Sequence, residues 1–492
     1  MRTYISSRGG QKREGAAGAI IQGIASDKGL FVPLEIPELE CPLEDLADMK
    51  YKDVAKMIIG AFFDDYTKEE IEACVEGAYD SKFDAEDVVP VVKAGDAWFL
   101  ELYRGKTSAF KDMALSILPY LLTTAVKKNK EDKKICILTA TSGDTGKAAL
   151  EGFADVPGTE IIVFFPEDGV SAVQKAQMVT QDGENTHVFA IRGNFDDAQT
   201  GVKKIFNDDD MRERLAARGY KLSSANSINV GRLVPQVAYY VYGYGKLIKN
   251  GAIKAGDSIN IVVPTGNFGN ILAAYYAGLM GIPVNKFICA SNENKVLTDF
   301  INTGVYDTRR EFHLTTSPSM DILISSNLER LLYHLSGGNS DEIARLMRDL
   351  DEKNCYEVSP EIKGGMSCFY GGFANMGETD NAIGDMYANS KYLMDTHTAV
   401  AYKVYEDYRR ETGDERPSLI ASTASPFKFS GSVAKAIGLG LCDDEFAYLE
   451  NLSTETGLKV PAGLSNLDKK EVRHKSVIGI NEMPAAVEEV LK

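Results

Sequence analysis

The run Ile135-Cys136-Ile137-Leu138-Thr139-Ala140 passes without a break into Thr141-Ser142-Gly143-Asp144-Thr145-Gly146, and from there into the helical stretch Lys147–Ala154. An uninterrupted apolar run rich in β-branched residues is the mark of a strand covered on both faces. The glycines and hydroxyls that follow make a strand-to-helix turn. The unit then recurs: Ile161-Ile162-Val163-Phe164-Phe165 precedes a helix at Ala172–Thr180, and His187-Val188-Phe189-Ala190-Ile191 gives a third strand. Further on, Ile259-Asn260-Ile261-Val262-Val263 leads through a glycine loop into a helix at Ile271–Met280, and Phe287-Ile288-Cys289-Ala290 follows. Strands alternating with helices predict an α/β fold with parallel sheets. Two such sets, one before about residue 240 and one after, predict two lobes with a cleft between them.

At 492 residues the chain is too long for a single core. Residues 1–95 read as a separate N-terminal unit, with a Gly- and charge-rich opening, a turn at Asp27-Lys28-Gly29, and amphipathic helices at Tyr51–Phe63 and Lys68–Tyr79. Residues 96–492 carry the two α/β lobes, the smaller over roughly 130–240. Residues 300–395 look mostly helical and less regular, with a flexible-looking glycine-rich stretch from Gly364 to Gly377. Nothing is legible beyond about residue 440.

The net charge of −17 argues against nucleic acid or an anionic membrane as partner, so any anionic substrate must meet a local positive pocket. Seven scattered cysteines without C-x-x-C spacing suggest free thiols in a reducing compartment. Five histidines without ligand spacing predict no metal centre. The opening Met1–Gly10 lacks the apolar core of a signal peptide, and no apolar run reaches membrane-spanning length. A soluble, cytoplasmic protein is expected, and its oligomeric state is not indicated.

Thr107-Ser108-Ala109-Phe110-Lys111-Asp112-Met113-Ala114-Leu115-Ser116-Ile117-Leu118 predicts a helix with Thr107 or Ser108 as N-cap. Lys111 shares a stripe with Ala114, Leu115 and Leu118. Only Asp112 and Ser116 interrupt an otherwise apolar surface, so burial of the helix is expected. A lysine in the first turn of such a helix is dehydrated and faces the positive end of the helix dipole, and both effects disfavour the ammonium form. An uncharged lysine amine is what a Schiff base with pyridoxal phosphate requires. A surface lysine snorkelling from an apolar face would give the same local pattern.

The Thr141–Gly146 loop leaves backbone N–H groups and hydroxyls facing an anion at a helix N-terminus. Pro264-Thr265-Gly266-Asn267-Phe268-Gly269-Asn270 repeats that architecture after its own strand, and its glycines make it the better cradle for a phosphate. Either loop alone reads equally well as a turn that binds nothing. A nucleotide-binding P-loop fails at both Gly-Lys pairs: Thr141 and Leu100 stand where its first glycine belongs, and Ala148 follows Lys147 in place of a hydroxyl. Ser224-Ala225-Asn226-Ser227-Ile228-Asn229-Val230-Gly231-Arg232 gathers amide, hydroxyl and guanidinium donors suited to a phosphate or carboxylate. Read alone, it is as easily a turn capping the next helix with Arg232 in solvent. Leu419-Ile420-Ala421-Ser422-Thr423-Ala424-Ser425-Pro426 ends a strand in hydroxyls. One of them could sit opposite a pyridine nitrogen and keep it unprotonated, and a plain strand end before a Pro turn fits as well.

Together, Ala109-Phe110-Lys111-Asp112, the Thr139–Gly146 loop, Ser224–Arg232 and Pro264–Asn270 resemble the threonine synthases, fold-type II pyridoxal-phosphate enzymes with two tryptophan synthase β-like lobes. Gln22-Gly23-Ile24-Ala25-Ser26-Asp27-Lys28-Gly29-Leu30-Phe31-Val32-Pro33 resembles the N-terminal domain of the longer branch of that family, and Asp395–Ala401 one of its later segments. The resemblance runs from Tyr4 to about Phe429. It implies that Lys111 carries the cofactor and that Gly266, Asn267, Phe268, Gly269 and Asn270 hold its phosphate. It also implies Thr423 at the pyridine nitrogen, Asp144 near the ring hydroxyl, and Thr141 and Ser142 on the substrate carboxylate. Thr145, Asn226, Ser227 and Arg232 would take the substrate phosphate. The chain departs from the family pattern at Asp144, where many members carry Asn, and at Ser425, where His or an acidic residue is common.

The implied reaction converts O-phospho-L-homoserine and water to L-threonine and phosphate. Two other outcomes fit the sequence: a phospho-lyase on the same scaffold that releases 2-oxobutyrate, and a non-catalytic ligand-binding protein that retains the fold.

Overall fold

The computed structural model describes residues 2–11, 13–440, 442 and 444–492. The chain opens on an antiparallel pair, β1 (Tyr4–Ser6) with β2 (Phe31–Pro33), and β3 (Val91–Ala94) then turns back on β4 (Ala97–Glu101). Next come β5 (Lys134–Ala140), β6 (Thr159–Pro166), β7 (Thr186–Arg192) and β8 (Tyr220–Ser223), followed by β9 (Ile259–Pro264) and β10 (Val284–Ser291). A small pair, β11 (Val305–Asp307) and β12 (Cys355–Glu357), precedes β13 (Phe369–Phe373), β14 (Ser418–Ser422) and β15 (Val477–Gly479). The larger sheet has the order β13-β10-β9-β14-β4-β3, parallel apart from the β3–β4 edge. The smaller, β15-β7-β6-β5-β8, is parallel throughout.

The two parallel sheets answer the expectation from the apolar runs, but the chain divides between them differently. β3 and β4 precede the smaller sheet in sequence yet complete the larger one beside β14. β15, from the tail that carried no sequence signal, adds the outer strand of the smaller sheet. Strands β5–β8 are thus threaded between two contributions to the larger sheet, and the chain returns to the smaller one at β15. The Gly364–Gly377 stretch is also not a loose loop, because it contains β13, paired in parallel with β10 from Phe287↔Phe369 to Ser291↔Phe373. Its glycines serve close approach: a Cβ on Gly371 would lie 3.1 Å from Thr298 Cα.

The helix carrying Lys111 runs from Lys111 to Lys128, and Met113, Leu115, Leu118 and Leu122 are buried along it. Burial of each such side chain contributes about 1.5–3 kcal/mol. The helices Tyr51–Phe62 and Lys68–Ala78 pack in the same core, and two of the tyrosines that follow them donate to carbonyls of the Lys111 helix: Tyr66 Oη to Leu121 O at 2.9 Å and Tyr79 Oη to Met113 O at 3.0 Å. The expected Thr107 or Ser108 N-cap is not formed. Phe110 occupies that position without a side-chain bond, and Ser108 has a left-handed φ of 60°. The reason is tertiary. Residues 102–110 are laced to the end of β14 through Leu102 N–Ser422 O (2.9 Å), Phe110 N–Thr423 O (2.8 Å) and Ser425 N–Ser108 O (3.0 Å). Thr107 turns its N–H and Oγ to the carboxylate of Asp112 instead, at 2.7 and 2.5 Å. Asp112 is consequently buried, and burial, partly offset by the Thr107 bonds, pushes its carboxyl up to about 6.

Five loops leave the carboxyl ends of parallel strands: those after β4, β5, β8, β9 and β14. In open α/β sheets this is the end at which ligands are met. All the residues singled out from the sequence lie in these loops or in the first turns of the helices that follow.

Candidate active site

Lys111 is the first residue of its helix, with 11% of its side chain exposed. Its Nζ lies 3.0 Å from Ser319 Oγ and 3.4 Å from Asp144 Oδ2. Asp144 opens the helix Asp144–Phe153 after β5, and its other oxygen, Oδ1, accepts from Lys428 Nζ at 3.1 Å and Gln174 Nε2 at 3.0 Å. Ser319 Oγ reaches Asp144 Oδ2 at 3.3 Å, and Ser319 N donates to His397 Nε2 at 3.2 Å. His397 Nδ1 faces Asp395 Oδ2 at 2.8 Å, so the ring is oriented by a buried carboxylate. Burial pulls the Lys111 amine below its ordinary range, Asp144 draws it back up, and Lys428 and Arg232 lower it again. Burial works to raise the Asp144 carboxyl, but Lys428, Lys111 and His397 outweigh it and hold it well below the usual carboxylate range.

The loop after β9 presents an anion cradle. Phe268 adopts a left-handed φ of 62° and starts the helix Gly269–Leu279 without a side-chain cap. Among the described residues, the amides of Gly266, Asn267, Phe268, Gly269 and Asn270 find no acceptor. Asn270 Nδ2 is buried and also unpaired, while its oxygen accepts from Tyr240. Such a set of donors at a helix N-terminus suits a phosphate. A Cβ on Gly266 would stand 2.5 Å from the Ser319 carbonyl, so only glycine permits this approach and ties the cradle to the Lys111 cluster. Asn327, in turn, donates to Asn267 O at 2.9 Å and lies 3.5 Å from Ser227 Oγ.

Arg232 is the second unmet demand. It is 3% exposed, its Nη1 donates to Ala225 O at 2.8 Å, and its Nε has no partner among the described residues. Desolvation lowers its guanidinium to about 10 against a raising influence from Tyr239. A buried cation without an acid partner is costly unless an anion completes it.

Thr141 and Asp144 lie on the same loop, but Thr141 Oγ1 accepts from Gly143 N at 3.0 Å and Gly146 N at 2.9 Å, leaving its own proton to donate outward. Asn226 is exposed, 3.5 Å from Thr139 Oγ1, while Thr423 is buried and its N–H points at Thr398 Oγ1 at 3.3 Å. Ser142 and Thr145 make no hydrogen bond to the other candidates among the described residues. The sequence reading missed Ser319, Lys428, Gln174 and Asn327. Lys428 carried one faint signal, a lone charge between Phe427 and Phe429.

Three family profiles match the chain in succession: "Threonine synthase N terminus" over residues 3–79, "Pyridoxal-phosphate dependent enzyme" over 89–367, and "Threonine synthase, C-terminal" over 398–490. Threonine synthase from Pseudomonas aeruginosa is 36% identical over 458 residues, covering 91% of this chain and 93% of that protein. The chain belongs to the threonine synthase family. The PLP-bound threonine synthase from Brucella melitensis superposes with a TM-score of 0.88 at 33% identity, over 100% of this chain and 99% of that one. Human threonine synthase-like 1 is 40% identical over 432 residues, 85% of this chain, yet the matched part is 57% of that longer protein. The architecture of this threonine synthase family member is accordingly that of the pyridoxal-phosphate enzymes, two α/β lobes with a preceding N-terminal domain. No helix among the described residues is long and apolar enough to cross a membrane.

Proposed function

We propose that the chain is a threonine synthase, converting O-phospho-L-homoserine and water to L-threonine and phosphate with pyridoxal phosphate as cofactor. One observation carries this reading. A dehydrated Lys111 amine stands beside a paired carboxylate, and Ser319 joins it to a loop of five unpaired amides. A lysine and a phosphate cradle in this relation fit pyridoxal phosphate. Lys111 would be its point of attachment, Gly266, Asn267, Phe268, Gly269 and Asn270 would hold its phosphate, Asp144 would lie by the ring hydroxyl and Thr423 by the pyridine nitrogen.

When bound, the cofactor supplies an electron sink for carbanions. The Lys111 amine would be the group that moves protons at Cα and Cβ of the substrate. Thr141 and Ser142 would hold the substrate carboxylate. Arg232, with Thr145, Asn226 and Ser227, would hold the phosphate that departs from Cγ, and this remote binding orients the carbons over Lys111. The seven free cysteines support a reducing, cytoplasmic setting.

The test is product analysis with O-phospho-L-homoserine, with and without added pyridoxal phosphate. Cofactor-dependent release of threonine and phosphate in equal amounts is expected. Phosphate with 2-oxobutyrate in place of threonine, or no turnover, overturns the reading.

A further inference from the structure

Two lysines share one carboxylate in this cleft. Lys111 Nζ is 3.4 Å from Asp144 Oδ2, and Lys428 Nζ is 3.1 Å from Asp144 Oδ1. The other groups facing the set are Ser319, Gln174, His397 with its partner Asp395, and Arg232. With both amines protonated, excess positive charge sits in a site largely shielded from water, and desolvation penalises it. The two amines stand in different surroundings. Lys428 is wholly buried, and its Nζ has two fixed acceptors, Asp144 Oδ1 and, at 2.7 Å, Thr107 O. Asp112 adds negative charge on that same side, its carboxylate engaged by Thr107. Lys111 instead faces the positive end of its helix and the charge of Arg232, and the Ser319 hydroxyl satisfies an uncharged amine as well as a charged one.

We propose that Lys428 is a positioning residue that keeps the Asp144 carboxylate for itself and so leaves Lys111 as the uncharged amine of the pair. It acts through Asp144, whose Oδ1 its Nζ meets at 3.1 Å. Its purpose rests on the reading of Lys111 as the attachment point, but the charge set itself is measurable in the cofactor-free protein.

Competitive acetylation across a pH series, read by mass spectrometry on the Lys111 peptide, gives the midpoint at which that amine loses its proton. Lys428→Met removes a like charge and is expected to move the midpoint upward. Asp144→Asn removes the opposite charge and is expected to move it downward. Each shift is about one pH unit, roughly a tenfold change in the uncharged fraction at fixed pH. The double variant is expected to fall between the two. Shifts of the same sign, or unmoved midpoints, overturn the proposal, since loosened packing has no reason to give opposite signs. Should Lys428→Met fail to fold, Lys428→Gln takes its place: a rise supports the proposal, and a fall or no change overturns it. Because neither cofactor nor substrate is used, the result stands apart from the assay for threonine.

Discussion

Arg232 is a guanidinium buried against its own loop, with one nitrogen unserved and, among the described residues, no acid in contact. Replacing it by Ala is expected to lower kcat/KM for O-phospho-L-homoserine roughly 10- to 100-fold, the range for losing a charge-assisted contact of about 1.5–3 kcal/mol. An unchanged kcat/KM would remove it from the phosphate site. Lys111→Ala is expected to abolish both turnover and the visible absorbance that appears on adding pyridoxal phosphate, and survival of either takes Lys111 out of its role. Lys111 was legible in the sequence because helical periodicity is local: three neighbouring positions reveal a buried first turn. Ser319 and Lys428 were not, because their meaning comes from Asp144, which lies 175 residues before Ser319, and no spacing rule spans such a distance. Arg232 fell between these cases, since its chemistry could be read but its burial could not.

At the scale of elements, the open amides of the Pro264–Asn270 loop could be anticipated, because a turn from a buried strand into a helix can leave amides unpaired, whereas in the Thr141–Gly146 loop Gly143 and Gly146 turn theirs to Thr141 Oγ1. What could not be read was how tightly neighbouring loops close on them. Gly266→Ala tests this closeness: the added methyl meets the Ser319 carbonyl, and overpacking of about 1–3 kcal/mol predicts roughly ten- to hundredfold weaker cofactor retention, measured by dialysis. The cradle helix is buttressed from behind, where Tyr276 Oη meets His334 Nε2 at 2.8 Å. Burial, helped by Arg330, lowers His334 to about 4 from an ordinary 6.5. A depressed histidine contributes stability that is complete above pH 6.5 and is lost as pH falls toward 4, because only the unfolded chain takes up the proton in that window. Tm is therefore expected to fall over this range, and His334→Gln to flatten that component. An identical slope in the variant would refute the assignment.

For the whole molecule, two parallel-sheet lobes followed from the apolar runs, whereas the membership of each sheet did not. Pairing of β4 with β14 joins segments some three hundred positions apart, and β15 is three residues long with only part-buried or exposed side chains. Short edge strands of that kind have no periodic signature. The tail is nonetheless structural, because Met483, Val487 and Leu491 are completely buried in the core of the smaller lobe. Truncation before Val477 removes three buried side chains, each worth about 1.5–3 kcal/mol, and exposes the apolar surface they covered together with the edge of β7. A markedly lower Tm and aggregation on heating are expected, and an unchanged Tm would show the tail to be dispensable.

Asp144 grows from the five-stranded lobe, while Lys428 and Ser319 stand on the six-stranded one. The carboxylate thus works as a clasp across the cleft, and its grip depends on how far apart the lobes stand. Should the lobes swing open, the clasp lets go of Lys428, and that amine would then settle its protonation with water. The acid–base character of the cleft is therefore also a gauge of its aperture.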